Sequence, residues 1–264
     1  MTDTIVCIKQ VAEVEDADIV LNDDKTGVLK DDLVMGINEW DSYALEEAIR
    51  IKESSGGKVV ALSLGDEDCQ DILRRALAMG ADEVVHIDKN GFEGSDAVGV
   101  ARGLASVIGK RHFDLLLTGV QGSDDGWGQV GIILAEILDL PFASLVVRLE
   151  NHEDHLTVYR ELESNTQQIV ELPLPGVVTI QTGINIPRYV SIMGIRRTRN
   201  LPIAGTGAGQ LGLMNSEIGT EGSCVESRQL FIPSDEANAE MLEGTLSEVC
   251  EKALSIIREK GGTD

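Results

Sequence analysis

At 264 residues and 42% hydrophobic content, the chain has material for one large α/β domain, or for one domain with an extension. Its 45 acidic against 22 basic side chains give a net charge of -23, which repels a phosphate backbone and argues against nucleic acid as a partner. The apolar runs are short and interrupted, and no basic segment leads into a long apolar one at the N-terminus, so we expect a cytoplasmic protein with no direct membrane insertion.

The first element is TIVCIKQ, a compact apolar run of the kind a buried parallel strand uses, with Cys7 at its centre. EVEDADIVLNDDKTGVLKDD follows, with eight acids and two lysines; short apolar pieces on either side of Asp23–Gly27 predict an exposed hairpin. From Asn38, a candidate N-cap, Tyr43, Ala44, Leu45, Ala48, Ile49 and Ile51 recur at helical spacing until SSGGK ends the run. The order then repeats: strand KVVALSLG, helix DCQDILRRALAMGA, strand EVVHID, helix DAVGVARGLASVIG, strand FDLLLTG, helix WGQVGIILAEIL. Such alternation specifies a doubly wound, mainly parallel sheet with helices on both faces.

After Pro141 the helices stop, and FASLVVRLE, HLTVYRELE, TQQIVELP and GVVTIQTG read as a strand-rich extension or meander. His152 and His155, in NHEDH, fit a solvated hairpin turn better than a metal site. Glycines are frequent from Thr206 to Ser223, and a last amphipathic helix is expected over Ala239–Arg258, with Leu242, Leu246 and Val249 on its apolar side. The expected division is a nucleotide-binding α/β domain over 1–200 and a C-terminal arm and helix over 201–264. Cys7, Cys69, Cys224 and Cys250 form no Cys-x-x-Cys pair, so they read as reduced packing residues.

GVQGSDDGWGQVG, between strand FDLLLTG and the next helix, carries the functional signal. Ligands of open parallel sheets bind beyond the carboxyl ends of the strands, and a helix starting there aims its free N–H groups at an anion. Gly122, Gly126, Gly128 and Gly131 let backbone approach closely, and Gln121 and Gln129 bring side-chain donors. Asp124 and Asp125 resemble an acid pair, but adjacent loop residues tend to diverge and no nucleophile or histidine is near, so a capping or loop-shaping role is expected. Neither a Gly-x-Gly-x-x-Gly after the first strand nor a Gly-Lys-Ser/Thr is present. The residues alone reach a nucleotide site, with a plain glycine-rich turn as the alternative.

A second signal is the stretch from Leu172 to Ser216, which contains no aspartate or glutamate but holds Arg188, Arg196, Arg197 and Arg199. It reads either as solvated loop or as a docking surface, with Ile192, Met193 and Ile195 as anchors and the arginines as a steering rim.

IVCIKQV, INEWDSYALEEAIRIKE, ILRRALAMGADEVVHID, GVQGSDDGWGQVG and LPLPGVVTIQTGINIPRYVSIMGI occur in this order, and together the chain resembles the beta subunit of electron-transfer flavoprotein from Ile5 to about Pro202. The resemblance implies an obligate heterodimer with an alpha subunit that holds most of the redox-active FAD, and a second nucleotide, AMP in the best-known members, in beta. It implies a nucleotide site of Cys7; Asn38, Glu39, Trp40 and Asp41; Leu64; and the loop residues Gly119, Gln121, Gly122, Ser123, Asp124, Asp125, Gly126, Trp127, Gly128, Gln129 and Val130, with the N–H groups of Gly128, Gln129 and Val130 on the phosphate. It further implies that the segment after Pro187-Arg188-Tyr189 docks an acyl-CoA or other dehydrogenase through Ile192, with a quinone oxidoreductase as a further partner. No catalytic or metal-ligating residue is assigned.

The chain departs from the family pattern in places. AMP-type members carry polar side chains where Gly128 and Val130 stand, and an acidic-glycine cluster where this chain reads Glu161, Leu162, Glu163, Ser164, Asn165. The Gln-Val-Gly step and MLEGTLSEV are more similar to electron-bifurcating members, which use NADH and place a second FAD in beta. Two other classes share the sheet. An adenylate-forming enzyme would need a Ser-Gly-Gly-type loop where this chain has KQVAEVED, and a nucleotide-binding sensor leaves the arginine segment and the arm without a role.

Overall fold

The computed structural model describes residues 1–14, 17–30, 32–233 and 241–261. It comprises two compact units, Met1–Gln229 and Leu230–Asp264. In the first, β1 (Thr4–Cys7) leads into an antiparallel pair, β2 (Gln10–Glu13) and β3 (Val34–Ile37), that stands apart from the main sheet. Then come α1 (Glu39–Ser55), β4 (Val59–Gly65), α2 (Gln70–Met79), β5 (Glu83–Asp88), α3 (Ala97–Ile108), β6 (Leu115–Gly119) and α4 (Val130–Ile137). The strands β7 (Phe142–Asn151), β8 (His155–Leu162), β9 (Thr166–Pro173) and β10 (Gly176–Ile180) follow. The unit ends with α5 (Ile192–Thr198), the two-residue β11 (Gly205–Thr206), and the short helices α6 (Ala208–Leu211) and α7 (Gly219–Gly222).

The main sheet has the order β11-β5-β4-β1-β6-β10-β7-β8-β9. All pairings from β11 to β7 are parallel, and β7-β8-β9 are antiparallel. Side chains of β1 alternate between the two faces. Val6 and Ile8 join a core with Leu45, Ile49 and Leu73 from α1 and α2, whereas Ile5 and Cys7 join a second core with Leu104, Ile108 and Leu134 from α3 and α4. Each fully buried aliphatic side chain contributes about 1.5–3 kcal/mol. The doubly wound expectation therefore stands, with two cores separated by one sheet.

Three local expectations change. GVVTI is not a fourth meander strand: its five residues are all buried, and β10 returns to the interior between β6 and β7. The hairpin is longer than expected, since β2 and β3 pair at its base; Leu21 bridges Val28 near its tip, where Asn22 Oδ1 accepts from the N–H groups of Thr26 and Gly27. Glu15, Asp16 and Asp31 of that hairpin lie outside the described residues. Cys7 and Cys69 are buried packing residues, but Cys224 and Cys250 are exposed.

Residues 201–229 belong to the first compact unit: β11 pairs with β5, and Ala208 and Ile218 are buried in the core beneath α3. In the second unit, α8 spans Leu246–Glu259, later than the expected start at Ala239, which lies outside the described residues. The cause is a capping box, in which Thr245 N–H and Oγ1 donate to Glu248 at 2.8 and 2.9 Å and set the first turn. Leu246, Leu254 and Ile257 of α8 are exposed, and the helix has no buried residue. Among the described residues no helix is long and apolar enough to cross a membrane.

Candidate functional site

The sheet order sets the location of the site. From β1 the chain adds β4 and β5 outward on one side, then crosses over to place β6 on the other side of β1. Connections leaving β1 and β6 therefore diverge, and the crevice beyond their carboxyl ends is where such sheets take ligands. A cavity of about 350 Å³ opens there, lined by residues following β1, β4 and β6.

Asp41, in the first turn of α1, ties the two strand ends together. Its Oδ2 accepts from Lys9 N–H at 2.7 Å and its Oδ1 from Gly119 N–H at 2.9 Å. Burial pushes its pKa up to about 7, against the lowering effect of those two donors. The same bond to Lys9 N–H takes the chain out of β1, which accounts for a strand shorter than TIVCIKQ.

Asn38 has the position of an N-cap but not the role. Its side chain makes no cap bond; instead Nδ2 donates to Gln121 O at 2.8 Å and Oδ1 accepts from Ser123 N–H at 3.0 Å. The glycine loop is thus moored to the start of α1 through a side chain that is almost completely buried.

Asp124 and Asp125 do not diverge. Both carboxylates converge on Lys9 Nζ, each at 2.6 Å. Burial opposes the Lys9 charge, but the aspartates outweigh it and hold the lysine above its ordinary pKa. Neither aspartate caps α4, whose N-cap is Gln129. They shape the loop, and Asp125 Oδ1 also accepts from Trp127 N–H at 3.1 Å.

Beyond this clamp the backbone turns through Gly126 and Gly128, with φ values of 63° and 62°, and enters α4. Among the described residues, the N–H groups of Gly128, Gln129, Val130 and Gly131 donate to no protein acceptor. Four free donors at a helix start fit a phosphate or another anion. Gly131 allows α4 to sit this close to the sheet: a Cβ there would lie 2.5 Å from Thr118 Oγ1 and 2.6 Å from Thr179 Cγ2. A Cβ at Gly128 would find its nearest protein atom, Val120 O, at 3.7 Å, so the space beside the donors is open.

The cavity lining also includes the apolar Leu64, Phe92, Val100 and Leu104, which offer a surface for a planar base. Cys7 belongs to the same lining; burial, with Asp41 adding to it, keeps its thiol protonated. Lys30 and Lys89 flank Asp66 at 3.7 and 3.4 Å on the rim. The donor set and the apolar side chains together fit a nucleotide.

Thirteen of the sequence-expected nucleotide-site residues line this cavity: Cys7, Asn38, Asp41, Leu64, Gly119, Gln121, Gly122, Asp124, Asp125, Trp127, Gly128, Gln129 and Val130. Glu39, Trp40, Ser123 and Gly126 do not. Trp40 Nε1 donates to Gln181 Oε1 at 2.8 Å, and Glu39 is exposed. Sequence reasoning missed Lys9, Lys89, Phe92 and Ser95; only the Lys in IVCIKQV, one residue beyond the apolar run, offered a signal.

The acid-free stretch splits in two. Arg188 is not a free charge, because Glu46 and Glu53 of α1 hold it at 2.8 and 2.7 Å. Ser191 Oγ then caps α5 by accepting from Gly194 N–H, and Tyr189, Ile192, Met193 and Ile195 are exposed there. Arg196 and Arg197 are exposed too, and form no ion pair among the described residues. His152 and His155 stack at 4.5 Å on the β7–β8 turn.

The model of the electron transfer flavoprotein domain matches residues 26–209. The electron transfer flavoprotein subunit beta of Methylophilus methylotrophus is 38% identical over 262 residues, which is 98% of this chain and 98% of that protein. The corresponding subunit of Thermoanaerobacterium thermosaccharolyticum is 34% identical over 97% of this chain and 98% of its own length. The caffeyl-CoA reductase-Etf complex subunit CarD of Acetobacterium woodii is 32% identical over 97% of this chain and 98% of its own.

Proposed function

The chain belongs to the electron transfer flavoprotein beta-subunit family, and from that premise we propose that it pairs with an alpha subunit, binds an adenine nucleotide in the β1–β6 crevice and docks a dehydrogenase through α5. The observation that supports this most is the set of four unengaged N–H groups at the start of α4, in residues that line the same cavity as the apolar side chains. When bound with the alpha subunit, FAD would supply the redox chemistry of the pair.

The chain's own residues have positional work. Gly128, Gln129, Val130 and Gly131 would hold the phosphate, and Leu64, Phe92 and Leu104 would face the base. Lys9, Asn38 and Asp41 keep the loop and the strand ends in place for them. The apolar side of α8, with Leu246, Leu254 and Ile257, gives the alpha subunit a surface to cover.

AMP is the ligand we propose for the crevice. The open space beside Gly128, with no side-chain donor there or at Val130, favours a second reading in which FAD occupies the site in an electron-bifurcating assembly. Co-expression with the alpha subunit, followed by extraction and quantification of bound nucleotides, tests both. One FAD plus AMP per heterodimer supports the first reading and two FAD the second; a heterodimer whose beta subunit retains neither would sink the nucleotide assignment.

A further inference from the structure

Between β10 and α5 the chain runs irregularly over the surface, yet it ends in a helix whose Ile192 is 72% exposed. An irregular segment carrying an exposed apolar helix needs something to set its position, and Arg188 supplies it. Nε and Nη2 donate to the two oxygens of Glu46 at 2.8 and 3.0 Å, and Nη1 and Nη2 to those of Glu53 at 2.7 and 3.0 Å. The Arg188 N–H donates to Glu46 Oε2 as well, at 3.1 Å.

We propose that Arg188, clasped between Glu46 and Glu53 of α1, is a positioning residue for partner docking: it sets where α5 stands, and hence where Ile192 is presented. This rests on the docking role assigned above to α5. The Glu46 side chain is only 6% exposed, so the clasp is anchored to a carboxylate that has few other partners. Only a planar guanidinium meets two carboxylates with paired donors in this way; an ammonium cannot reproduce the fork.

Neighbouring contacts fit the same purpose. Three residues earlier, Asn185 Nδ2 donates to Tyr43 O and Glu47 Oε2 at 3.0 and 2.9 Å, a second attachment to α1. After the clasp, α5 packs on α2, with Gly194 facing Ala78 so closely that a Cβ would lie 3.3 Å from its carbonyl oxygen. The segment is therefore held on α1 behind Ile192 and on α2 beneath it, leaving the exposed side chains of Tyr189, Ile192 and Met193 as the presented surface.

The test compares Arg188→Ala, Arg188→Lys and Glu46→Gln in the co-expressed heterodimer. Amide hydrogen exchange over 189–199 should quicken about tenfold in Arg188→Ala, with residues 119–131 unaffected. With a purified acyl-CoA dehydrogenase, reduced by its acyl-CoA substrate, as the electron donor, the concentration for half-maximal flavin reduction should rise about tenfold while the maximal rate stays within about twofold. Arg188→Lys should recover part of both effects, Glu46→Gln should resemble Arg188→Ala, and Ile192→Ala should add less in the Arg188→Ala background than in the wild type. Unchanged exchange over 189–199 overturns the clasp. Faster exchange with unchanged half-saturation overturns its link to docking. A wild-type heterodimer that this donor does not reduce counts against the proposed partner class, while the exchange data still decide the clasp.

Discussion

Lys9 and Asp124 meet at 2.6 Å across the crevice although 115 residues separate them in sequence. Each leaves one of the two strands that flank the reversal of the sheet, so the contact spans the mouth of the site. Lys9 is 39% and Asp124 46% exposed at the side chain, and such partly solvated pairs contribute little to stability, about 0–1 kcal/mol. Placement of the loop is the larger effect. Lys9→Ala leaves two adjacent carboxylates uncompensated beside the phosphate donors and should weaken nucleotide retention by about tenfold or more, with little change in unfolding free energy. Titration calorimetry with AMP on nucleotide-stripped protein measures the first quantity and urea unfolding the second; equal affinity in both proteins would dismiss the clamp.

Asn38 separates two roles that look alike in sequence. Aspartate caps helices as well as asparagine does, so Asn38→Asp would be neutral if capping mattered. As a mooring it should fail, because Asp cannot donate to Gln121 O, and the unsatisfied buried group should cost about 1–3 kcal/mol. Denaturant unfolding of the variant gives the answer directly.

Gly128 and Gly131 should differ in kind. Gly131→Ala forces α4 off Thr118 and Thr179 and should destabilise the fold by about 1–3 kcal/mol. Gly128→Val clashes with no protein atom, its Cβ meeting Val120 O only at ordinary contact distance, but imposes positive φ on a β-branched residue, at about 1–2 kcal/mol or more, and occupies the open space at the donors. Its nucleotide content should therefore fall further than its stability. A Gly128→Val protein with full nucleotide content would contradict the assignment of that space.

Asp41 gives a pH signature. Its carboxyl is raised to about 7 in the fold, above about 3.9 for an unfolded aspartate, so between these values the native state binds the extra proton. Stability from this group is complete below the unfolded value and is lost as pH rises through the folded one. The thermal midpoint of the wild type, relative to Asp41→Asn, should decline between about pH 4 and about pH 7. A constant or rising difference over that range would refute the raised pKa.

Ile192→Ala should leave the fold intact, since the side chain is already exposed, and should cost about 1–3 kcal/mol of docking through faster dissociation. Charge reversal at Arg196 and Arg197 should instead slow association, with an effect that shrinks as salt rises. Flavin reduction by a partner dehydrogenase at low and high salt distinguishes the two; identical rates for all variants would remove α5 from docking.

Alternation of apolar runs and helical periodicity was enough to read the sheet and its covering helices, because both cores are built from the alternating sides of short strands such as Ile5–Val6–Cys7. The loop from Gly119 to Gly131 was legible for the same reason: its glycines stand between a strand and a helix. What escaped was every contact that depends on distant chain segments meeting. The pairing of Lys9 with Asp124 and Asp125, the diversion of Asn38 from capping to mooring, and the clasp on Arg188 have partners 83 to 142 residues away or in another element, and no local spacing encodes them. The strand-rich extension was legible, but the return of its fourth strand to the sheet interior was not, because a fully buried strand and a meander strand of five residues read alike.

The late return of β10 has a consequence for how the molecule is built. In the finished sheet β6 is flanked by β10, whose Ile180 lies opposite Gly119, and Val120 N–H donates to Ile180 O. During synthesis β6 emerges long before β10, with α4 and three antiparallel strands in between, so one edge of β6 stays unpaired in the meantime. Such long-range pairings are the slow ones, and an open edge invites association with other chains. The first residues of the glycine loop hang from that same edge. The crevice is thus among the last features to close, and a chain interrupted before residue 176 would carry the glycine loop without the strand that fixes its start.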